Sequence, residues 1–182
     1  AASSAGELDV RLLSVDGTLT TNKAVATRGS GGLDIATIAS KMVPTGTLSV
    51  RGNATLTFAQ SPIFIDYGRP LVRERTVWGG QLVPFDSVWR AGANAATHLA
   101  TTRTLAFGDL VVPAGMYSVW IQHTRSGTLL IINKQTGQWG TSYDPAQDLG
   151  RVPMAFASAP EFIEQFTITI RSMPPGNRGA FD

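Results

Sequence analysis

Apolar residues along this chain recur mostly at every second position, the period of a half-buried β-strand. Leu8, Val10 and Leu12 alternate with Asp9 and Arg11. Leu48-Ser49-Val50-Arg51 and Thr55-Leu56-Thr57-Phe58 flank Gly52-Asn53 and read as strands, and Pro62-Ile63-Phe64-Ile65 begins another. The clearest hairpin joins Met116–Thr124 to Thr128–Lys134 through Arg125-Ser126-Gly127. Alternation places Tyr117, Val119, Ile121 and His123 on one face of its first strand and Trp120 on the other. Leu129-Leu130-Ile131-Ile132 is apolar at consecutive positions, which predicts a central strand covered on both faces. A Thr-rich strand over 97–107 and strands over Val152–Phe156 and Phe166–Arg171 follow from the same period. The prolines of the tail Met173–Gly179 predict no regular pairing there. Period two fails once: Ile35, Ile38, Ala39 and Met42 fall at i, i+3, i+4 and i+7, which predicts a short helix over 33–42 ended by Pro44.

Short strands with frequent turns indicate an all-β fold, here a jelly-roll-like β-sandwich with an N-terminal strand extension and one short helix. The expected division is an extension over residues 1–60 and a sandwich domain over 61–182. A chain of 182 residues is long enough for one sizeable domain.

Composition narrows the setting. Charged residues are 15 % of the chain, against roughly 25 % in soluble domains. Thr, Ser, Gly and Ala take their place, as in exported or assembled proteins. A net charge of +2 gives no argument for nucleic acid. Twelve of the fifteen basic residues are Arg, which points to guanidinium groups held by carboxylates or carbonyls. There is no cysteine, so disulfides, thiolate metal sites and Cys nucleophiles are excluded. No run of 18 apolar residues marks a membrane span. Ala1-Ala2-Ser3-Ser4-Ala5 looks like the small-residue tail left by signal-peptide removal, giving an expected extracellular or periplasmic location.

The stretch from Asp66 to His98 concentrates the side chains that are costly to place. Arg69, Arg73, Arg75, Trp78, Trp89, Arg90 and Asn94, joined by Trp139 and Tyr143, form the candidate constellation. Arg and Asn offer directional donors, and Trp faces stack on sugars or guanidinium planes. One reading is a pocket for a carbohydrate or small anion. The other, favoured by composition, has Arg90 paired internally with Asp66 or Asp86 and the tryptophans in the core. Arg73, Arg75 and Val77 stand at alternate positions of a possible strand. His98 and His123 are the only histidines that could act as a base, and no G-x-S-x-G string accompanies them. Two histidines and scattered carboxylates make a poor metal site. Gly29-Ser30-Gly31-Gly32 lacks the Lys-Ser/Thr of a phosphate cradle. Asn53-Ala54-Thr55 is a glycosylation triplet. The expectation is no catalytic residue, no cofactor and no metal.

Gly68-Arg69-Pro70, Val77-Trp78-Gly79, Leu82-Val83-Pro84-Phe85, the run Val88 to Thr97, the run Val112 to Trp120 and the run Asn133 to Thr141 occur in this order. Together, over roughly Ile63 to Ile170, they resemble the bacterial domain of unknown function 2911 family. The resemblance implies an exported, mostly β domain of bacterial envelopes and implies no activity. It also leads one to expect a further apolar strand after Phe166–Ile170. A sheet short of that strand would expose unpaired backbone, which a strand carrying Leu8, Val10 and Leu12 from a neighbouring copy would fill. Head-to-tail filling gives filaments. The expected function is therefore a structural, self-assembling envelope or secreted protein, with copies of itself as partners; the alternative is an extracellular module binding a glycan or small anion.

Overall fold

The computed structural model describes residues 49–58, 60–173 and 178–182. The expected helix over 33–42 and the expected strand of Leu8, Val10 and Leu12 lie outside these residues. Within them the fold is all-β, with a single 3-10 turn at Pro145–Gln147 and no α-helix. The strands are β1 (Arg51–Phe58), β2 (Ser61–Gly68), β3 (Val88–Trp89), β4 (Thr97–Thr101), β5 (Leu105–Phe107), β6 (Leu110–Val112), β7 (Gly115–Thr124), β8 (Gly127–Asn133), β9 (Asp148–Met154), β10 (Ile170–Met173) and β11 (Arg178–Phe181).

One antiparallel sheet runs β1-β2-β4-β7-β8-β9. Short β3 continues the place of β4 along β7: β4 lies against Gly115 to Val119, and β3 pairs Trp89 with Ile121 and Val88 with Gln122. The β7–β8 hairpin is as the apolar pattern predicts; β8 has a strand on each side but stands next to the edge, with Ile131 and Ile132 buried and Leu129 and Leu130 half-buried. The expected domain boundary at residue 61 falls at the turn between β1 and β2, which pair along their whole length.

The core is a sandwich. Ile63, Ile65, Tyr67, Leu99, Tyr117, Val119 and Ile132 project from one face of the sheet and are buried. The hairpins β5–β6 and β10–β11, with Phe166 and Ile168, cover them. Each such side chain contributes roughly 1.5–3 kcal/mol on leaving water.

Several local expectations change. The Thr-rich strand over 97–107 is two strands in two sheets. The Thr101 hydroxyl donates to the Arg103 carbonyl at 2.8 Å and accepts from the Arg103 amide at 3.2 Å, so the chain turns out of the large sheet there. Arg73, Arg75 and Val77 form no strand: Arg73 and Glu74 have φ of 50° and 59°, and Arg75 folds back onto the carbonyls of Leu71 and Val72. The tail does pair: β10 and β11 run antiparallel, with Met173 opposite Arg178 and Ser172 opposite Gly179. The strands expected over Val152–Phe156 and Phe166–Arg171 are shifted as well, to Asp148–Met154 and Ile170–Met173.

Candidate functional site

The second face of the large sheet is polar at its centre. The pairing register sets Asn53 opposite Asp66, Asp66 opposite His98, His98 opposite Ser118, Ser118 opposite Asn133, and Asn133 opposite Asp148. One polar rung thus crosses six strands, and its four middle members are buried. In a strand the side-chain period is two, so paired residues share a face. Such a row is tolerable only where each group finds hydrogen bonds.

Arg51 anchors one end. It grips both Asp66 carboxylate oxygens and donates to the carbonyls of Ala95 and Ala96 at 3.2 and 3.4 Å. Burial pushes the Asp66 carboxyl up from its usual range, and the Arg51 charge and hydrogen bond pull it back. At the other end the Tyr143 hydroxyl donates to Asp148 at 2.7 Å, and Arg151 binds Asp148 at 2.8 Å and Gln122 at 3.1 Å. Burial, then the Asp148 carboxylate, pushes the Tyr143 hydroxyl up to about 12.

The segment 134–144 lies over the middle of the rung. The Gly137 amide donates to His98 Nε2 at 2.9 Å, and Gln138 Nε2 donates to Ser118 Oγ at 2.9 Å. Ser118 Oγ also accepts from Trp120 Nε1. Asn133 donates to the Asp144 carbonyl and Asp148, and accepts from the Gln135 amide. Burial, reinforced by the Arg51 charge, lowers His98 to about 3. The Ala96 carbonyl opposes this slightly, though His98 Nδ1 makes no well-formed hydrogen bond. His98 is therefore neutral at physiological pH.

The segment 88–98 meets this loop edge to edge. Ala96 N donates to Gln138 O, Gly140 N donates to Asn94 O, and Ala95 bridges Trp139. The closeness is built into small residues: a Cβ on Gly68 would sit 2.1 Å from Ala93 O, and one on Gly140 would sit 1.9 Å from Arg90 Cδ. Ala91 and Asn94 hold left-handed φ of 48° and 65°, a strained state for a side-chain-bearing residue. Asn94 Nδ2 reaches Ser49 O, and Thr97 Oγ1 donates to Ala91 O.

The nine residues singled out from sequence are thus divided. Arg90, Asn94, Trp139 and Tyr143 lie on the polar side. Arg90 donates to the Gly140 carbonyl, not to Asp66 or Asp86; Arg51 takes Asp66 instead. Trp139 is 44 % exposed, whereas Tyr143 packs on buried Trp120. Trp78 and Trp89 lie on the apolar side in edge contact with one another, and Trp78 with His123 at 5.2 Å. Phe85 and Phe156 cover the His123 ring, whose Nδ1 meets Thr128 Oγ1 at 2.9 Å. Arg69 crosses to Phe166 O and Thr167 Oγ1, while Arg73 and Arg75 sit in the exposed turn. Asn53 of the glycosylation triplet stands in β1 on the polar rung.

Sequence reading passed over Arg51, Ser118, Asn133, Gln135 and Gln138. The available signal was a polar residue interrupting an apolar run: Asp66 between Ile65 and Tyr67, Ser118 between Tyr117 and Val119, Asn133 after Ile131-Ile132. Four buried side-chain atoms find no partner in the protein among the described residues: Arg90 Nε, His98 Nδ1, Gln135 Oε1 and Gln138 Oε1. Each costs roughly 1–3 kcal/mol if left so. Among the described residues, no three of His, Asp and Glu are grouped to hold a metal ion.

Residues 49–179 match the model of a family described as protein of unknown function, DUF2911. The match begins ahead of the expected Ile63 and takes in β1 and the polar rung entire. No curated protein and no solved structure matches the chain.

Proposed function

The chain belongs to the DUF2911 family, and on that premise we propose a structural, self-assembling role, as an exported or envelope β-domain. In this reading a strand carrying Leu8, Val10 and Leu12 adds to the sheet of a neighbouring copy, and repetition yields a filament. The observation that carries it is the contrast between the two edges of the large sheet. Edge strand β9 is defended by Asp148, Arg151 and Pro153. Edge strand β1 has, after Arg51, neither a charge nor a proline over Asn53 to Phe58. Among the described residues β1 has a strand partner on one side only. An edge strand that carries no charge from Gly52 to Phe58 is a template for strand addition. The low charge content and the Thr-, Gly- and Ala-rich composition fit an exported, assembled protein.

Removing residues 1–14 tests this. Negative-stain electron microscopy and light scattering should show extended assemblies for the full chain and single domains for the shortened one. A full chain that stays monomeric, or a shortened chain that assembles equally well, sinks the reading.

A further inference from the structure

Six of the nine large apolar side chains exposed among the described residues come from two loops, 71–82 and 156–163. They are Leu71, Trp78, Leu82, Phe156, Phe162 and Ile163, the last two 77 % and 58 % exposed. Contacts join the two loops into one surface. Trp78 meets Phe156 at 5.4 Å and Trp89 at 5.6 Å, and half-buried Trp89 meets Phe166 at 5.1 Å. The stretch 157–165 thus leaves and rejoins one row of rings. On its return it lies antiparallel to 70–72: Val72 N donates to Glu164 O, Phe166 N donates to Pro70 O, and Leu71 bridges Gln165. The Trp78, Phe156 and Phe162 rings alone leave roughly 300 Å² in water, in the range where an exposed apolar patch is often functional.

We propose that this patch, formed by loops 71–82 and 156–163, is a docking surface for the same patch of a second copy of the chain, giving a two-fold dimer.

Two observations select a second copy as the occupant. The first is charge. Around the apolar residues stand Arg73, Arg75 and Arg125, and Glu74, Glu161 and Glu164, all exposed. Arg125 belongs to this rim because it lies over Phe85, which stacks on His123, and the His123 ring meets Phe156. The two signs balance. A rim of one sign would fit an oppositely charged partner or anionic lipid; a balanced rim is complementary to itself when two copies meet about a two-fold axis. The second observation is the turn at 72–75. Arg75 N donates to Val72 O, and both residues between them, Arg73 and Glu74, have positive φ. Such a turn favours Asn-Gly. Here it holds two long charged side chains at its tip, in a backbone state that is costly for both. Solvation alone does not require charges at that place, whereas ion pairs across an interface do. The Glu164 carboxylate is occupied by the Arg73 amide at 2.9 Å, which leaves Glu161 as the acidic group of the second loop. Trp, Phe and Arg are also the side chains enriched at protein interfaces. No residue of β1 takes part, so this dimer and strand addition can each fail alone.

The test uses the full chain carrying Thr55→Lys and Thr57→Lys, so that strand addition at β1 does not intervene. Sedimentation velocity over a wide concentration range should show a monomer–dimer equilibrium. Phe162→Ser should weaken it at least tenfold with the melting temperature unchanged, and Ile163→Ser does the same job if Phe162→Ser fails to fold. Arg73→Glu should weaken it as well, and Arg73→Glu together with Glu161→Arg should restore it. Benzoylphenylalanine in place of Phe162 reads the occupant directly: ultraviolet light should link it to residues 71–82 or 156–163 of a second copy. A monomer at every concentration overturns the proposal, as does a dimer indifferent to the changes at Phe162 and Ile163. A cross-link to residues 1–48 of the same chain overturns it too. So does dimer-free binding to phosphatidylcholine vesicles that Phe162→Ser abolishes.

Discussion

Asp66 and His98 face each other across β2 and β4, and burial, modified by one shared charge, sets the state of both. Arg51 offsets the burial of the Asp66 carboxylate, and the same guanidinium helps to keep the His98 imidazole unprotonated. Removing one partner of a buried pair leaves the other uncompensated, at about 3–5 kcal/mol. Arg51→Met should therefore lower the urea midpoint by that equivalent, and adding Asp66→Leu should recover part of the loss. Full additivity of the two changes would show that the pair is not coupled. His98 gives a pH dependence of definite sign. Its folded-state value of about 3 lies below its ordinary 6.5, so between these values only the unfolded chain takes up the proton. Stability then falls with acidification, by up to about 2 kcal/mol between pH 6.5 and 5. Asp66 acts in the opposite sense, since its raised carboxyl takes up a proton more readily in the folded protein, so the comparison must be with His98→Gln at each pH. Gln keeps an acceptor for the Gly137 amide and cannot titrate. Urea unfolding of the variant should lack that part of the acid loss; parallel pH curves for variant and parent would refute the assignment.

At the scale of elements, the close meeting of 88–98 with β2 and with the loop 133–141 rests on backbone that admits no side chain. Gly68→Ala drives a methyl group to 2.1 Å from the Ala93 carbonyl, a backbone atom that cannot swing aside. Gly127→Ala, at the β7–β8 turn, meets nothing within 4 Å. The first should cost about 1–3 kcal/mol or more, which is several degrees of melting temperature in a domain of this size; the second should stay within about 1 kcal/mol. Equal melting temperatures would mean that the contact is slack. The same contrast explains what the chain reveals in advance. The β7–β8 hairpin was legible because its alternation is local and its turn short. The split of 97–107 into β4 and β5 was not, since it depends on one Thr101 hydroxyl bonding to its own backbone. The polar rung depends on pairing register between strands distant in sequence. Asp66, His98, Ser118 and Asn133 each stood out as polar residues in apolar surroundings, but nothing local shows that they share a row. The Trp and Arg residues drew attention by their type; the register then sends Trp89 to the apolar face with Ile121, while Arg90, just past β3, reaches the Gly140 carbonyl.

For the whole molecule, the question is which surface of a two-layered body is left to another chain. The apolar face of the sheet is covered by two hairpins, and the polar face by 88–98 and 134–144, so lateral growth has the two edges to choose from. At β9, Pro153 lacks an N–H, and Arg151 would have to keep or lose its bonds to Asp148 and Gln122 beside an incoming strand. At β1, Thr55 and Thr57 are exposed, and their side chains offer an added strand only hydroxyls and methyl groups. Two lysines there reproduce the usual protection of natural edge strands, because adding a strand would then crowd or desolvate two ammonium groups. The exposed positions make the change cheap for the isolated domain, within about 0.5 kcal/mol. Thr55→Lys with Thr57→Lys should thus abolish extended assemblies in light scattering while leaving the melting temperature of the single domain nearly unchanged. Assembly undiminished by both lysines would exclude β1 as the receiving edge, whatever the N-terminal segment does. Assembly lost together with a large fall in melting temperature would show instead that β1 needs its threonines for its own pairing with β2.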